Sequence, residues 1–187
     1  MARWEADAAG RIRAAAMQLF SDVGYEQTTV ADIAAYTGLT ARTFFRHFTD
    51  KREVLFHWCE RLQQLMLDGL CNASANALAL DAVAAALDGT ADFYVDSYRP
   101  FARQRSLIIG ANAELREREL MKLAAIAAVL AEGLRKRGIP EPNASLASEA
   151  GMAVYRVAFA IWVKELEARS FREIVAEMLA LLRSISR

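Results

Sequence analysis

Three observations predict an all-α fold for this chain. Ala and Leu are abundant, whereas Gly is sparse and only three Pro occur in 187 residues. Apolar residues recur at spacings of three and four along most of the sequence, and stretches of strict apolar–polar alternation are nearly absent. An apolar fraction of 55% is enough to bury a proper core, so helices packed on helices satisfy the sequence without strands.

The formal charge is zero, which removes the general argument for a nucleic-acid binder, since non-specific attraction to phosphate comes from excess Lys and Arg. Any positive field must therefore be local. Between Thr40 and Arg52 the cations Arg42, Arg46, Lys51 and Arg52 face the single acid Asp50, with His47 titratable nearby. Cys59 and Cys71 fall on what reads as one helix, roughly 18 Å apart at ~1.5 Å per residue, too far to bridge. Two buried, reduced thiols are expected. The N-terminal MARWEADAAGR lacks the apolar run of a signal peptide, and no stretch reaches the ~18 to 20 apolar residues of a membrane span. A soluble, cytoplasmic protein is the expectation.

The first helix is expected from about Ala6 to Val23, with Ile12, Ala16, Leu19, Phe20 and Val23 on one stripe. Gly24 supplies its left-handed stop. Thr28 or Thr29 then caps a second helix with the apolar edge Val30, Ile33 and Ala34. Gly38 ends that helix, Leu39 plugs the core, and Thr40 caps a third. A turn this short makes the helices cross steeply, the geometry in which the second helix of the pair lies in the DNA major groove.

Phe44 and Phe48, four residues apart, face the first helix, which leaves Ala41, Arg42, Phe45 and Arg46 outside. Arg42 and Arg46 stand one turn apart and suit base edges or phosphates, since Arg is the side chain that best pairs twice with guanine. Thr40 and Thr43 suit phosphate or a thymine methyl. The bland alternative is a pair of ordinary solvated charges. No Cys or acid accompanies His47 at ligand spacing, so no metal is expected there.

The run Gly24-Tyr25, Thr29-Val30, Ile33-Ala34, Gly38-Leu39-Thr40, Thr43-Phe44-Phe45, His47-Phe48, Lys51 and Val54-Leu55 resembles the DNA-binding domain of TetR-family transcriptional regulators. The resemblance covers about the first third of the chain. It implies a three-helix domain over 6–52, with the turn-helix unit at 29–48 and a C-terminal effector-binding and dimerisation bundle over 53–187. By the same resemblance Thr40, Ala41, Arg42, Thr43 and Arg46 face the groove, and Thr28 or Thr29, His47 and Lys51 contact phosphate. Two positions depart from the family pattern. Phe45 stands where Tyr is frequent, which removes a hydroxyl contact to phosphate, and Arg42 stands where a small residue is common, which should alter the operator that is read.

Beyond this unit a long helix is expected from Lys51 to about Ala77, with Val54, Leu55, Trp58, Leu62, Leu65 and Met66 toward the core. Shared by two domains, it is a candidate lever between them. Further helices are expected from Leu80 to Tyr98, Pro100 to Ile109, Ala111 to Arg137, Ser145 to Ala168 and Ser170 to Ser186.

Two hydrophobic surfaces need partners. Residues 150–163 are apolar on nearly every face, and the small residues Ala147, Gly151 and Ala158 would admit a neighbouring backbone. A homodimer through the last two helices satisfies this pattern, and two heads on a pseudo-palindromic operator give the affinity that one lacks. The other surface is aromatic. Phe93, Tyr94, Tyr98, Phe101, Phe159 and Trp162, with Arg156, either line an effector cavity or form solid core. Residues Arg103 to Arg118 are similar to the effector domain of a subgroup that includes the mycofactocin-type regulators, which implies an acyl-CoA-like ligand, with Arg103, Arg105, Arg116 and Arg118 available to an anion. The combined expectation is a ligand-responsive repressor with no cofactor. The alternative is an α-helical small-molecule-binding protein or enzyme with a structural N-terminal bundle. Against an enzyme, the chain has two His and no constellation of nucleophile, base and orienting group.

Overall fold

The computed structural model describes residues 2–185, with side chains from Ala8 onward. Among these residues the regular structure is helical: α1 Ala2–Asp22, α2 Val30–Thr37, α3 Ala41–His47, α4 Glu53–Phe56, α5 Trp58–Asn72, α6 Ala79–Asp88, α7 Arg99–Ala111, α8 Ala113–Lys136, α9 Asn143–Trp162 and α10 Phe171–Ile185. No helix among them is long and apolar enough to cross a membrane.

Two compact units emerge, and they do not divide at residue 52. The first runs to Trp58 and also takes in Gln104–Glu119; the second holds Cys59–Arg103 and the chain from Leu120 onward. α7 and α8 therefore each contribute residues to both units.

In the first unit, Ile12, Ala16 and Phe20 of α1 bury against a core that includes Ile33, Phe44, Phe48 and the apolar turn Val54-Leu55-Phe56. The expected long helix from Lys51 is broken at His57, and α5 ends at Asn72 rather than Ala77. The break has a chemical cause. The Leu55 carbonyl accepts from Trp58 Nε1 at 3.0 Å and from Arg105 Nε at 2.7 Å. Side-chain donors thus occupy an acceptor that an unbroken helix would pair with backbone.

In the second unit α9 packs on α6 and α10. Its small residues face inward: a Cβ on Gly151 would lie 2.2 Å from Val83 Cγ1 of α6, and Ala147 and Ala158 are buried. The close approach at Gly151 is thus to the chain's own α6. Among the residues α9 leaves outside are Leu146, Arg156 and Val157, and the exposed large apolar residues of α10 include Leu181 and Ile185. The helix expected from Leu80 to Tyr98 stops at Asp88. There the buried Thr90 hydroxyl donates to the Leu87 carbonyl at 2.7 Å, followed by turns and a short 3₁₀ segment at Asp96–Tyr98. Cys59 is buried as expected, but Cys71 is exposed.

Candidate nucleic-acid interface

The turn between α2 and α3 is set by capping chemistry. Thr29 Oγ1 accepts from the Asp32 N–H at 3.2 Å, while the Thr29 N–H donates back to Asp32 Oδ2 at 2.8 Å, a closed capping box. Hydrogen bonding from Thr29 holds the Asp32 carboxyl below its ordinary value. At the other end Gly38 adopts φ 68°, which a Cβ would disfavour, and its N–H turns back to the Ala34 and Ala35 carbonyls. Thr40 then caps α3, its hydroxyl accepting from the Thr43 N–H at 3.2 Å and lying 3.0 Å from the Thr43 hydroxyl.

With both ends fixed, Phe44 and Phe48 set the rotation of α3. Phe44 is fully buried and Phe48 nearly so, their rings 5.7 Å apart. Ala41, Arg42, Phe45 and Arg46 consequently face outward, with Phe45 55% exposed. Arg42, Thr43, Phe45 and Arg46 line a single shallow concavity. This face offers two guanidinium forks, a hydroxyl and an aromatic ring, the chemistry used to read base edges and hold phosphate.

Other expected contacts have structural work instead. Thr28 is buried and its hydroxyl donates to the Gly24 carbonyl at 2.8 Å. Lys51 Nζ donates to the carbonyls of Tyr25 at 2.7 Å, Thr28 at 2.9 Å and Glu26 at 3.3 Å, and it lies 4.3 Å from the centre of the Tyr25 ring. An ammonium has three N–H donors, and Lys51 uses them to pin the loop between α1 and α2. Burial, reinforced by the negative charge of Glu114, pushes the Tyr25 hydroxyl upward and keeps it neutral. Thr29 is exposed, yet its oxygen and proton both serve the cap. His47 is half-buried, with Nε2 enclosed and without a hydrogen-bond partner.

Arg52 is also withdrawn from the positive patch. Its guanidinium pairs with Asp50 at 2.7 Å and Glu114 at 2.6 Å. Burial opposes ionisation of Asp50, but hydrogen bonds from Arg52 and the Glu53 N–H outweigh it and hold the carboxyl below its ordinary value. Arg42 and Arg46 stay on the exposed face of α3.

In the second unit the aromatic residues pack on one another. Tyr94 is buried, with ring centroids 4.4 Å from Phe171, 5.0 Å from Phe93, 5.3 Å from Trp162 and 5.8 Å from Phe159. Its hydroxyl meets that of Tyr155 at 2.6 Å. Tyr98 stacks at 5.1 Å on Phe93 and 5.4 Å on Phe101. Tyr155 and Phe171 belong to the same cluster. Arg156 points outward instead, and the cation over the cluster is Arg99, 5.1 Å from the Trp162 ring. The arginines expected to be available to an anion are engaged by the protein. Arg103 donates to the Val163 and Lys164 carbonyls; Arg105 bonds Leu55 and Glu119; Arg116 bonds the Gly110 carbonyl and Arg118 bonds Glu53. Among the described residues no group of three or more His, Cys, Asp or Glu is placed to hold a metal ion.

Residues 12–57 match the family described as bacterial regulatory proteins, tetR family. That match takes in α2, α3 and the turn between them. A curated relative, the HTH-type transcriptional regulator TcmR of Streptomyces glaucescens, is 54% identical over 39 residues, a segment amounting to 21% of this chain and 17% of TcmR. Solved structures extend the likeness of fold to the rest of the chain. A bacterial regulatory protein in the tetR family from Rhodococcus RHA1 superposes with a TM-score of 0.54 at 20% identity, covering 93% of this chain and 94% of that one. The transcriptional regulator FadR from Bacillus subtilis, solved in complex with stearoyl-CoA, gives 0.57 at 22% identity over 92% and 96%.

Proposed function

We propose that the regulator is a homodimeric repressor that binds a pseudo-palindromic DNA operator and releases it when a small apolar or acyl-type effector occupies the C-terminal unit. The observation that carries this reading is the outer face of α3. Arg42, Thr43, Phe45 and Arg46 share one exposed concavity, while the opposite face is fixed by Phe44 and Phe48. Thr40 and Ala41 extend the face at its N-terminal end, and Thr29 and His47 flank it.

A dimer through α9 and α10 is supported by the apolar residues those helices leave outside, Leu146, Val157, Leu181 and Ile185. Two copies of α3 would then address half-sites about one helical turn apart. Support for an acyl-type effector comes from the FadR structure with stearoyl-CoA. Because α7 and α8 each run through both units, their backbones offer a path from effector to head. A hundredfold loss of operator affinity needs only ~2.7 kcal/mol of differential binding between the two states.

The test is a gel shift with DNA flanking the regulator's own gene. Wild type is expected to shift a fragment at low salt, and the Arg42→Ala, Arg46→Ala double variant to shift none. No binding by wild type, or equal binding by the variant, overturns the reading. Sizing at micromolar concentration should give a dimer that Val157→Glu converts to monomer.

A further inference from the structure

We infer that Phe45 reads the C5-methyl group of one pyrimidine in each operator half-site, so that this position accepts thymine or 5-methylcytosine and rejects uracil or unmethylated cytosine. The inference deepens the reading of α3 as the helix that meets DNA and rests on it.

Phe45 is 55% exposed on the outer face of α3, in one concavity with Arg42, Thr43 and Arg46. A phenyl ring carries no hydrogen-bond donor or acceptor, so it can bond neither a phosphate nor the polar edge of a base. It gains only by covering apolar surface. In the major groove the bases present ring nitrogens, carbonyl oxygens, amino groups and one apolar group, the thymine methyl. The ring is also held for such a contact. Phe44, fully buried, meets it in a T-shaped arrangement at 5.5 Å with 84° between the planes, so Phe45 rests on a core residue while more than half of it stays open.

The neighbouring cations set the register. Arg42 precedes Phe45 by three residues, about 4.5 Å along the axis at ~1.5 Å per residue, which is little more than one base step of roughly 3.4 Å. Guanidinium groups suit O6 and N7 of guanine, so the pyrimidine under Phe45 is expected one or two base pairs from a guanine. Thr43 carries the other methyl group of the concavity, but its N–H and hydroxyl both meet the Thr40 hydroxyl, which ties it to the cap of α3. Because the ring of Phe45 forms no hydrogen bonds, it does not distinguish the O4 acceptor of thymine from the N4 donor of cytosine. Methylation of a cytosine at that position supplies the same methyl group and restores the contact.

The assay is equilibrium binding of the full-length protein to DNA flanking its own gene, made with thymine or with uracil throughout, which removes the 5-methyl groups and nothing else. Burying one methyl is worth about fourfold in affinity, and about fifteenfold when both half-sites lose it. Wild type should bind the uracil DNA weaker by that factor. Phe45→Ala should bind both DNAs equally, and Phe45→Leu, which keeps an apolar side chain of intermediate size, should retain part of the discrimination. Single uracil replacements in a synthetic duplex then locate the position, where cytosine should behave as uracil and 5-methylcytosine as thymine. Equal binding of both DNAs by wild type, or a uracil penalty undiminished in Phe45→Ala, overturns the inference and leaves the DNA-binding reading intact. A penalty that survives in Phe45→Ala but vanishes in Thr43→Ser, which removes a methyl and keeps the hydroxyl, gives the contact to Thr43 and overturns it as well. If 5-methylcytosine behaves as cytosine, the acceptance of either methylated base is overturned. If neither DNA is bound, the reading beneath fails and this inference with it.

Discussion

Arg105 is the most consequential single side chain outside the DNA-facing surface. Its side chain is 3% exposed, its Nε holds the Leu55 carbonyl at 2.7 Å, and it pairs with Glu119 at 2.9 Å. The guanidinium carbon lies 4.6 Å from the Trp58 ring and 5.4 Å from Phe56. Replacing it with Met keeps most of the packing and removes the charge. Losing one partner of a fully buried ion pair costs about 3–5 kcal/mol. Glu119 is 30% exposed and can recover water, and Trp58 Nε1 still serves the Leu55 carbonyl, so the lower part of the range applies. A lost hydrogen bond from a charged donor, about 1.5–3 kcal/mol, and two lost cation–π contacts, about 0.5–1 kcal/mol each, give a similar range, so the expected loss is about 3 kcal/mol. At about 2–4 °C per kcal/mol for a chain of this size, Arg105→Met should melt roughly 6–12 °C lower. Thermal unfolding followed by tryptophan fluorescence measures this directly, since Trp58 sits against the cation. Arg105→Lys should recover less than half, because one ammonium cannot reproduce the planar stack and both bonds. A loss below about 1 kcal/mol for Arg105→Met, or full recovery by Lys, would refute the reasoning.

Four further outcomes are expected. Removing Arg42 or Arg46 from both heads of a dimer should flatten the dependence of log K on log salt by about 1.8, at ~0.9 per phosphate contact; isothermal binding across a salt series measures it. Lys51→Gln, by contrast, should lower the melting temperature and leave that slope unchanged, because its ammonium holds the carbonyls of Tyr25, Glu26 and Thr28; a slope reduced as far as in Arg42→Ala would return Lys51 to the DNA surface. Thr29→Ala should cost about 1 kcal/mol by loss of the cap. The capping box should also fail in acid. The carboxyl of Asp32 is lowered in the folded state by Thr29, so its contribution is complete above the unfolded value of about 3.9 and fades as the pH falls through the folded value. Circular dichroism titrations of wild type and Asp32→Asn should therefore diverge above that range and converge below it.

Much of the head was legible from local chemistry. Thr29, Gly38 and Thr40 sit at fixed offsets around two short apolar patterns, and capping acts over three or four residues, within reach of sequence spacing. The rotation of α3 followed from the spacing of Phe44 and Phe48. The His57 break was not legible, because its cause is Arg105, which approaches Leu55 from a distant part of the chain. The same holds for Lys51 and Arg52. As sequence they are exposed cations beside a recognition helix, and only the folded chain brings the Tyr25 carbonyl or Glu114 to them. In the C-terminal unit, the small residues of α9 correctly signalled a close approach, but the helix they meet proved to be the chain's own α6.

The sequence by itself determined an all-α chain, a capped turn-helix unit with Arg42 and Arg46 on its outer face, and its resemblance to one family. These depend on periodicity and on hydrogen bonds between near neighbours. Tertiary structure decided which groups hold Lys51 and Arg52, where the linking helix breaks, how the aromatic rings pack on one another, and that a groove opens between α5 and α8. Each of those depends on groups far apart in the chain meeting at hydrogen-bond or van der Waals distance, where an unpaired donor or an empty volume carries a free-energy cost that spacing along the sequence does not encode.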